Sequence, residues 1–195
     1  MSGELREQIM AGAAEMMSRG GLGHTSVREI ARHAGTPLGS TYHYFPDGKA
    51  QLARETIQFA GGKVSRALGN ALERGPVEGL EALLAWWRQV LANSDYDAGC
   101  PVMSVAVTES RFGDMVDVIA AARHVFADWE HQLAGSLIAR GASSTQAENT
   151  ATLVVCAVEG AIGLCRVEGS TRPLDAIDIA LRAALTRTLE QRDGA

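Results

Sequence analysis

Between Thr25 and Leu52 the chain reads TSVREIARHAGTPLGSTYHYFPDGKAQL, and its hydroxyl, imidazole and ammonium groups suit hydrogen bonding to phosphates and base edges rather than bond breaking. Thr25 and Ser26 are N-cap types with Glu29 just beyond, and Val27, Ile30, Ala31 and Ala34 recur at helical spacing, so a helix of two to three turns is expected there. Gly35 ends it. Pro37 tolerates only the first turn of a helix, so a second short helix is expected from about Thr36 to Leu38 through Tyr44, with Pro46 stopping it. That second helix carries Gly39, Ser40 and Thr41, which permit close approach to a surface, followed by Tyr42, His43 and Tyr44, which can reach phosphates or bases. A short helix with so little apolar surface is poor core material and suits the major groove of DNA. The alternative reading is a helical hairpin whose second helix is a solvated connector.

The fuller pattern resembles the DNA-binding domain of the tetracycline-repressor (TetR/AcrR) family. It is carried by a first helix ending at Gly20 and Gly21, then Thr25-Ser-Val-Arg-Glu-Ile-Ala, Ala34-Gly35, and Tyr42-His-Tyr-Phe45 followed by Lys49 and Leu52. The motif covers about residues 4 to 54, and the remaining chain matches the family in length and layout. Three residues, Pro46, Asp47 and Gly48, separate Phe45 from Lys49, where the commoner family pattern has two. FPDGKAQL is similar to the LmrA/YxaF-type branch, and Ala98-Gly-Cys-Pro-Val102 resembles that branch's ligand-domain signature. Its members repress neighbouring efflux or oxidoreductase genes. Carried over by position, the resemblance implies that Tyr42 and Lys49 hold phosphates and that the amides near Ser26 and Val27 hold another. It further implies that Arg28, Thr36, Pro37, Gly39, Ser40, Thr41 and His43 belong to the groove-facing set. Phe45 is expected in the core, and His24 and His33 as plain surface residues.

Positioning these groups requires a scaffold. Leu5, Ile9, Met10, Ala13, Met16 and Met17 define a first helix from Leu5 to Arg19, which completes a three-helix head. With Asp47 as its N-cap, a long helix is expected to about Arg74, broken by Gly75-Pro76. Val77–Ala92, Cys100–Glu109, Asp114–Arg140, Ser144–Val167 and Pro173–Gln191 read as five more helices, with Arg111-Phe-Gly among the connectors. The fold class is therefore all-α with about nine helices. A helix-turn-helix domain over residues 1–48 precedes a helical ligand-binding and dimerisation domain over 49–195.

Composition narrows the function classes. With 46% hydrophobic residues, 5% aromatic residues and 21 glycines in 195 residues, the chain can bury a substantial core with small-residue packing. The start of the sequence lacks the pattern of a secretory signal, and the longest apolar run, Ala151 to Val158, meets Glu159 short of a bilayer span. The expectation is a cytoplasmic chain with no membrane partner. Cys100, Cys156 and Cys165 are too few and too scattered for a disulfide framework or a zinc site, and no metal or cofactor is expected. No catalytic carboxylate pair, Ser/His/Asp order or phosphate loop stands out, which argues against an enzyme. The net charge of −5 is unevenly spread: residues 1–74 hold nine basic against seven acidic residues, and residues 75–195 nine against sixteen. The positive excess lies with the groove-reading segment, and it is small enough that binding should rest on a few placed contacts and on dimerisation.

In the second domain, Trp86, Trp87, Met103, Val107, Phe112, Met115, Phe126 and Trp129 are the candidates to line an apolar effector cavity, with ordinary core packing as the competing role. Glu159, inside an apolar helix, should pair with Arg166 or Arg123 or meet a ligand group. The last two helices are expected to join two copies: Thr152, Cys156, Ala157, Gly160, Ala161 and Gly163 allow close approach, and Ile177, Ile179, Leu181, Leu185 and Leu189 supply apolar surface. Cys100, preceding Pro101, reads as an N-cap. These features together suggest a homodimeric repressor on a palindromic DNA operator, released by a small apolar or aromatic effector. The alternative is a helical small-molecule-binding or protein-interaction module without DNA affinity.

Overall fold

The computed structural model describes residues 2–109 and 112–191 and contains nine α-helices and no strand among them. They are α1 (Ser2–Gly20), α2 (Val27–His33), α3 (Leu38–Tyr44), α4 (Lys49–Leu72), α5 (Pro76–Asn93), α6 (Pro101–Thr108), α7 (Val116–Ile138), α8 (Ser144–Glu168) and α9 (Arg172–Glu190). Local chemistry sets most ends. Prolines open α5, α6 and α9, and Gly169, in the left-handed region at φ 61°, closes α8 by donating its amide to the Cys165 carbonyl. Cys100 is the N-cap of α6, its sulfur accepting the Met103 amide at 3.4 Å. Asp47, expected to cap α4, does not. The first helical bond of α4 runs from the Leu52 amide to the Gly48 carbonyl, Gly48 sits at φ 74°, and the Gln51 side chain takes the Asp47 amide at 2.9 Å. The extra residue between Phe45 and Lys49 is thus absorbed by a left-handed glycine, a conformation that would strain any other residue. The expected connector residue Arg111 lies outside the described residues.

By compactness the chain forms two units, residues 1–62 with 100–125 and residues 63–99 with 126–195. In the first, α1, α2 and α3 enclose a core of Ile9, Met10, Ala13, Val27, Ile30, Phe45 and Leu52, with Leu5, Met16, Leu38, Tyr44 and Phe59 at its edge. The approach of α1 to α2 is unusually close. A Cβ built on Gly12 would lie 2.8 Å from the Ala34 Cβ, and the Gln8 amide group donates to the Ala34 carbonyl at 2.7 Å. Glycine at 12 is what lets the two backbones meet, and the Gln8 bond satisfies a carbonyl at the end of α2 that has no intrahelical partner. α6 packs on α1 in the same unit, with Gly21 against the Ser104 and Thr108 side chains.

In the second unit α8 is the central helix and packs on α9 and α5, which also pack on each other. Val154, Val158, Ile162 and Cys165 of α8 are buried with Leu84 and Leu91 of α5 and Leu174, Leu181 and Leu185 of α9. One polar pair crosses the buried α8–α9 seam, Thr150 to Thr188 at 2.8 Å. Where α5 meets α9 at the surface, Arg88 reaches Asp175 at 2.9 Å and Asp178 at 3.2 Å, and Arg182 bonds both Asp178 and Glu81. Against the expectation from run length, α8 is long and apolar enough to span a bilayer, with a mean hydropathy of 1.6, and half of that window is buried in the unit. Its apolar character has a sufficient cause in being the core helix.

Replacing Gly12 by Ala should cost about 1–3 kcal/mol, the range for overpacking a closed contact, because the atoms in its way are a methyl and backbone with no rotamer to change. Urea denaturation monitored by circular dichroism would measure it.

Candidate nucleic-acid interface

The interface is built on α2 and α3, two seven-residue helices too short to persist alone in water. α2 begins with a complete capping box: the Ser26 hydroxyl accepts the Glu29 amide, and the Glu29 carboxylate accepts the Ser26 amide at 2.9 Å and the Ser26 hydroxyl at 2.7 Å. These bonds from Ser26 hold the Glu29 carboxyl below its ordinary value. At the other end Gly35, at φ 65°, turns the chain, and the Thr36 amide returns to the Ala31 carbonyl at 2.9 Å. The helix that follows has no side-chain cap, and of its seven residues only Thr41 is buried. Phe45, fully buried behind it, and half-buried Tyr44 anchor it to the head. α3 is therefore held by one edge and presents the rest outward.

That arrangement sorts the expected DNA contacts. Arg28, Pro37, Gly39, Tyr42 and His43 are exposed, Ser40 and Lys49 are half-buried, and Tyr42 keeps 51% of its surface open. No atom lies within 4 Å of a Cβ built on Gly39, so that side of α3 is open. Thr41 is a correction: it is fully buried, with its hydroxyl on the Pro37 carbonyl at 3.4 Å, because one face of even this polar helix must close the head. Thr36 is a second correction, buried with its hydroxyl on the Ala31 carbonyl at 3.3 Å, where it staples the turn. The Val27 side chain is buried in the core, and the Ser26 amide is already taken by Glu29. Of the amides at that helix start, those of Val27 and Arg28 are the ones helix geometry leaves without an intrahelical carbonyl.

Two contacts in the head were not anticipated. His33 is more than a plain surface residue, since its Nε2 meets Glu15 of α1 at 2.9 Å, and that bond, outweighing slight burial, lowers the Glu15 carboxyl pKa. Glu55 collects the Arg6 and Arg54 guanidiniums, and Arg6 lies over the Phe45 ring. These contacts engage Arg6, Arg54 and His33, whereas Arg28 is exposed and Lys49 half-buried. No sequence signal exposes the His33–Glu15 or the Arg6–Glu55 contact, because they join residues 18 and 49 positions apart.

The expected effector-lining residues are divided between the two units. Met103, Val107, Phe112 and Met115 fall in the first unit, with Val107 and Phe112 largely exposed at 72% and 84%. In the second unit Trp87, Trp129 and Glu159 line one small apolar cavity, Trp86 lines a neighbouring one, and Phe126 meets Trp129 edge to face at 5.4 Å. Aromatic residues drew the sequence reading, yet much of the wall is aliphatic, and the i, i+4 pair Val64 and Leu68 was the available signal. The expected pairing face of α8 and α9 is also divided. Thr152, Cys156, Gly160, Gly163 and Ile179 are exposed, whereas Ala161, Leu181 and Leu185 are buried within their own chain, because the α8–α9 seam consumes them. Leu153, Leu164 and Val167 extend the exposed stripe of α8.

A capped helix, a glycine turn and a second helix anchored by one edge define a helix-turn-helix protein of the DNA-binding class. Residues 9–56 match the family model for bacterial regulatory proteins of the tetR family, and residues 76–179 match the LmrA/YxaF-like C-terminal domain of transcriptional regulators. An uncharacterised HTH-type transcriptional regulator of Mycobacterium tuberculosis is 37% identical over 96% of this chain and 97% of its own. The HTH-type transcriptional regulator LmrA of Bacillus subtilis is 26% identical over 88% of this chain and 92% of its own. The fold is also that of a TetR transcriptional regulator from Legionella pneumophila, with a TM-score of 0.80, 20% identity and coverage of 91% of this chain and 95% of that one. The chain belongs to the TetR family of transcriptional regulators, in its LmrA/YxaF-like branch, and is a DNA-binding regulator rather than an enzyme.

Because the Glu29 carboxyl is held low by the native cap, its contribution to stability is complete above the ordinary carboxylate range and is lost as pH falls through it. The head should therefore melt more readily at acidic pH, and Glu29→Gln should remove that part of the pH dependence, as read by thermal melts across a pH series. Ser26→Ala should cost about 1 kcal/mol, the usual value of an N-cap.

Proposed function

We propose that the chain acts as a homodimeric repressor whose two heads read a palindromic operator and whose helical body releases it when a small effector binds. The observation that carries the DNA-reading half is α3: one buried residue, an open glycine edge, and Tyr42 and His43 facing outward. Residues 1–48 serve as the reader. Tyr42 and Lys49 hold phosphates together with the amides that open α2, and Arg28, Pro37, Gly39, Ser40 and His43 meet the groove. Residues 49–195 bind effector and dimerise.

Two-fold pairing is supported by the exposed stripe Leu153, Cys156, Gly160, Leu164 and Val167 on α8 beside Ile179 on α9, an apolar face of the sort that self-complementary interfaces use. Such pairing sets the two readers about one DNA turn apart. An effector that favours a different separation of the heads lowers affinity for DNA by the ratio of its affinities for the two states. The setting is the cytoplasm, where the chromosome is.

Fluorescence anisotropy with a labelled fragment from upstream of the chain's own gene tests the reading. Lys49→Ala should weaken binding across sequences and reduce the salt slope by about one unit. Gly39→Ala should leave the melting temperature unchanged or slightly raised while weakening specific binding. Wild-type affinity in the combined Tyr42→Ala, Lys49→Ala variant would refute DNA reading by α3. Leu164→Glu with Ile179→Glu should convert a dimer to a monomer by analytical ultracentrifugation, and a dimer that survives would move the interface elsewhere.

A further inference from the structure

Lys49 is the first residue of α4, and the loop that delivers it, Pro46 to Gly48, offers little to hold it still. Pro46 and Asp47 are exposed, and Gly48, whose carbonyl accepts the first helical bond, has no side chain with which to cap the helix. A lysine meets a phosphate as a point charge on a flexible stem, so where that charge stands depends on how firmly the backbone beneath it is fixed. Lys49 is close enough to the α2 start that its charge, after the Ser26 bonds and beside that of Arg32, helps lower the Glu29 carboxyl pKa.

A run of side chains fixes that backbone from two directions. The Gln51 carboxamide uses both of its ends: its oxygen accepts the Asp47 amide at 2.9 Å, and its nitrogen donates to Glu55 Oε1 at 3.0 Å. Arg6 of α1 donates to Glu55 Oε2, and the Arg6 guanidinium lies over the Phe45 ring, 5.6 Å from its centroid. The Gly48 amide returns to the Phe45 carbonyl at 3.0 Å. A closed circuit therefore runs from Phe45 through Arg6, Glu55 and Gln51 to Asp47, and the loop lies inside it. The Glu55 side chain is only 16% exposed, which shields the charge-assisted part of the circuit from water. Glutamine suits position 51 because the site asks for an acceptor on one side and a donor on the other. Glutamate there would face Glu55 one turn away as a like charge, and an apolar residue would leave the Asp47 amide without its bond. Arg6, Gln51 and Glu55 are not members of the apolar core around Ile9, Ile30, Phe45 and Leu52, so the circuit acts on the loop and not on the filling of the core.

We propose that Arg6, Glu55 and Gln51 are positioning residues for DNA binding, a relay that holds the Pro46–Gly48 loop so that Lys49 meets a phosphate, while none of the three touches DNA. The proposal rests on the reading of Lys49 as a phosphate contact and names the residues through which that contact is set. Its unusual consequence is that an acidic side chain supports binding to a polyanion.

Fluorescence anisotropy with the upstream fragment, titrated across about 50 to 300 mM salt, tests it, with thermal melts to show that each variant is folded. Gln51→Met keeps the length and helix preference of the side chain and loses both hydrogen bonds. It should weaken binding about three- to tenfold, the scale of one hydrogen bond, and lower the salt slope toward that of Lys49→Ala. Combined with Lys49→Ala it should bind no more weakly than Lys49→Ala alone, because both changes remove the same contact. Glu55→Ala removes a negative charge, which by charge alone would tighten binding, and through the relay should weaken it instead. Should Glu55→Ala fail to fold, Gln51→Met and its combination with Lys49→Ala decide alone. Wild-type affinity or salt slope in Gln51→Met, its full effect persisting beside Lys49→Ala, or tighter binding by Glu55→Ala would overturn the relay and leave Lys49 as a phosphate contact. Unchanged binding in Lys49→Ala would instead overturn the phosphate reading of Lys49, and the relay with it.

Discussion

The structure depends on how a helix that cannot sustain itself is held. α3 has seven residues and a single buried one, and no side chain caps its start. Its order therefore comes from what it leans on: Thr41 and Phe45 sealed into the head, Tyr44 at the edge of the core, and the turn at Gly35 and Thr36 tied back to Ala31. A helix held along one edge leaves its other surfaces free for a duplex. The same economy explains why the head needs Gly12, since α1 and α2 must approach closely to form a base against which so small a helix can be fixed.

Electrostatics are arranged by subtraction. Residues 1–74 carry only a slight excess of basic residues, and Glu55 and Glu15 occupy Arg6, Arg54 and His33 in contacts within the first unit. For a reader with so little net positive charge, a few well-placed contacts with phosphate count for more than total charge. In the second unit the balance is reversed. Acidic residues there bridge α5 and α9 through Arg88 and Arg182, and Glu159 is turned inward to a cavity wall.

The two apolar surfaces of the second unit differ in how they are finished. The seam of α8 with α9 and α5 is closed by Val154, Val158, Leu181 and Leu185 and pinned by the Thr150–Thr188 bond. The opposite stripe of α8, with Leu153, Leu164 and Val167, stays open to solvent within the single chain. Burying such a stripe against a second copy would remove it from water, which fits the two-fold architecture proposed for operator binding.

All nine helices and nearly all their ends were legible in the sequence, because caps, prolines and glycines act over three or four residues and leave a local signature. The glycine turn, the exposed tyrosine and the core phenylalanine of the head were legible for the same reason. What only the tertiary structure decided is which groups meet across the chain. It turned Thr36 and Thr41 inward, moved the α4 cap from Asp47 to Gly48, paired His33 with Glu15, and divided the supposed lining residues between two units. Residue type cannot foretell those outcomes, since a threonine or a tryptophan serves surface, core or cavity equally well. Which role it takes depends on neighbours tens of residues away, brought together only by packing.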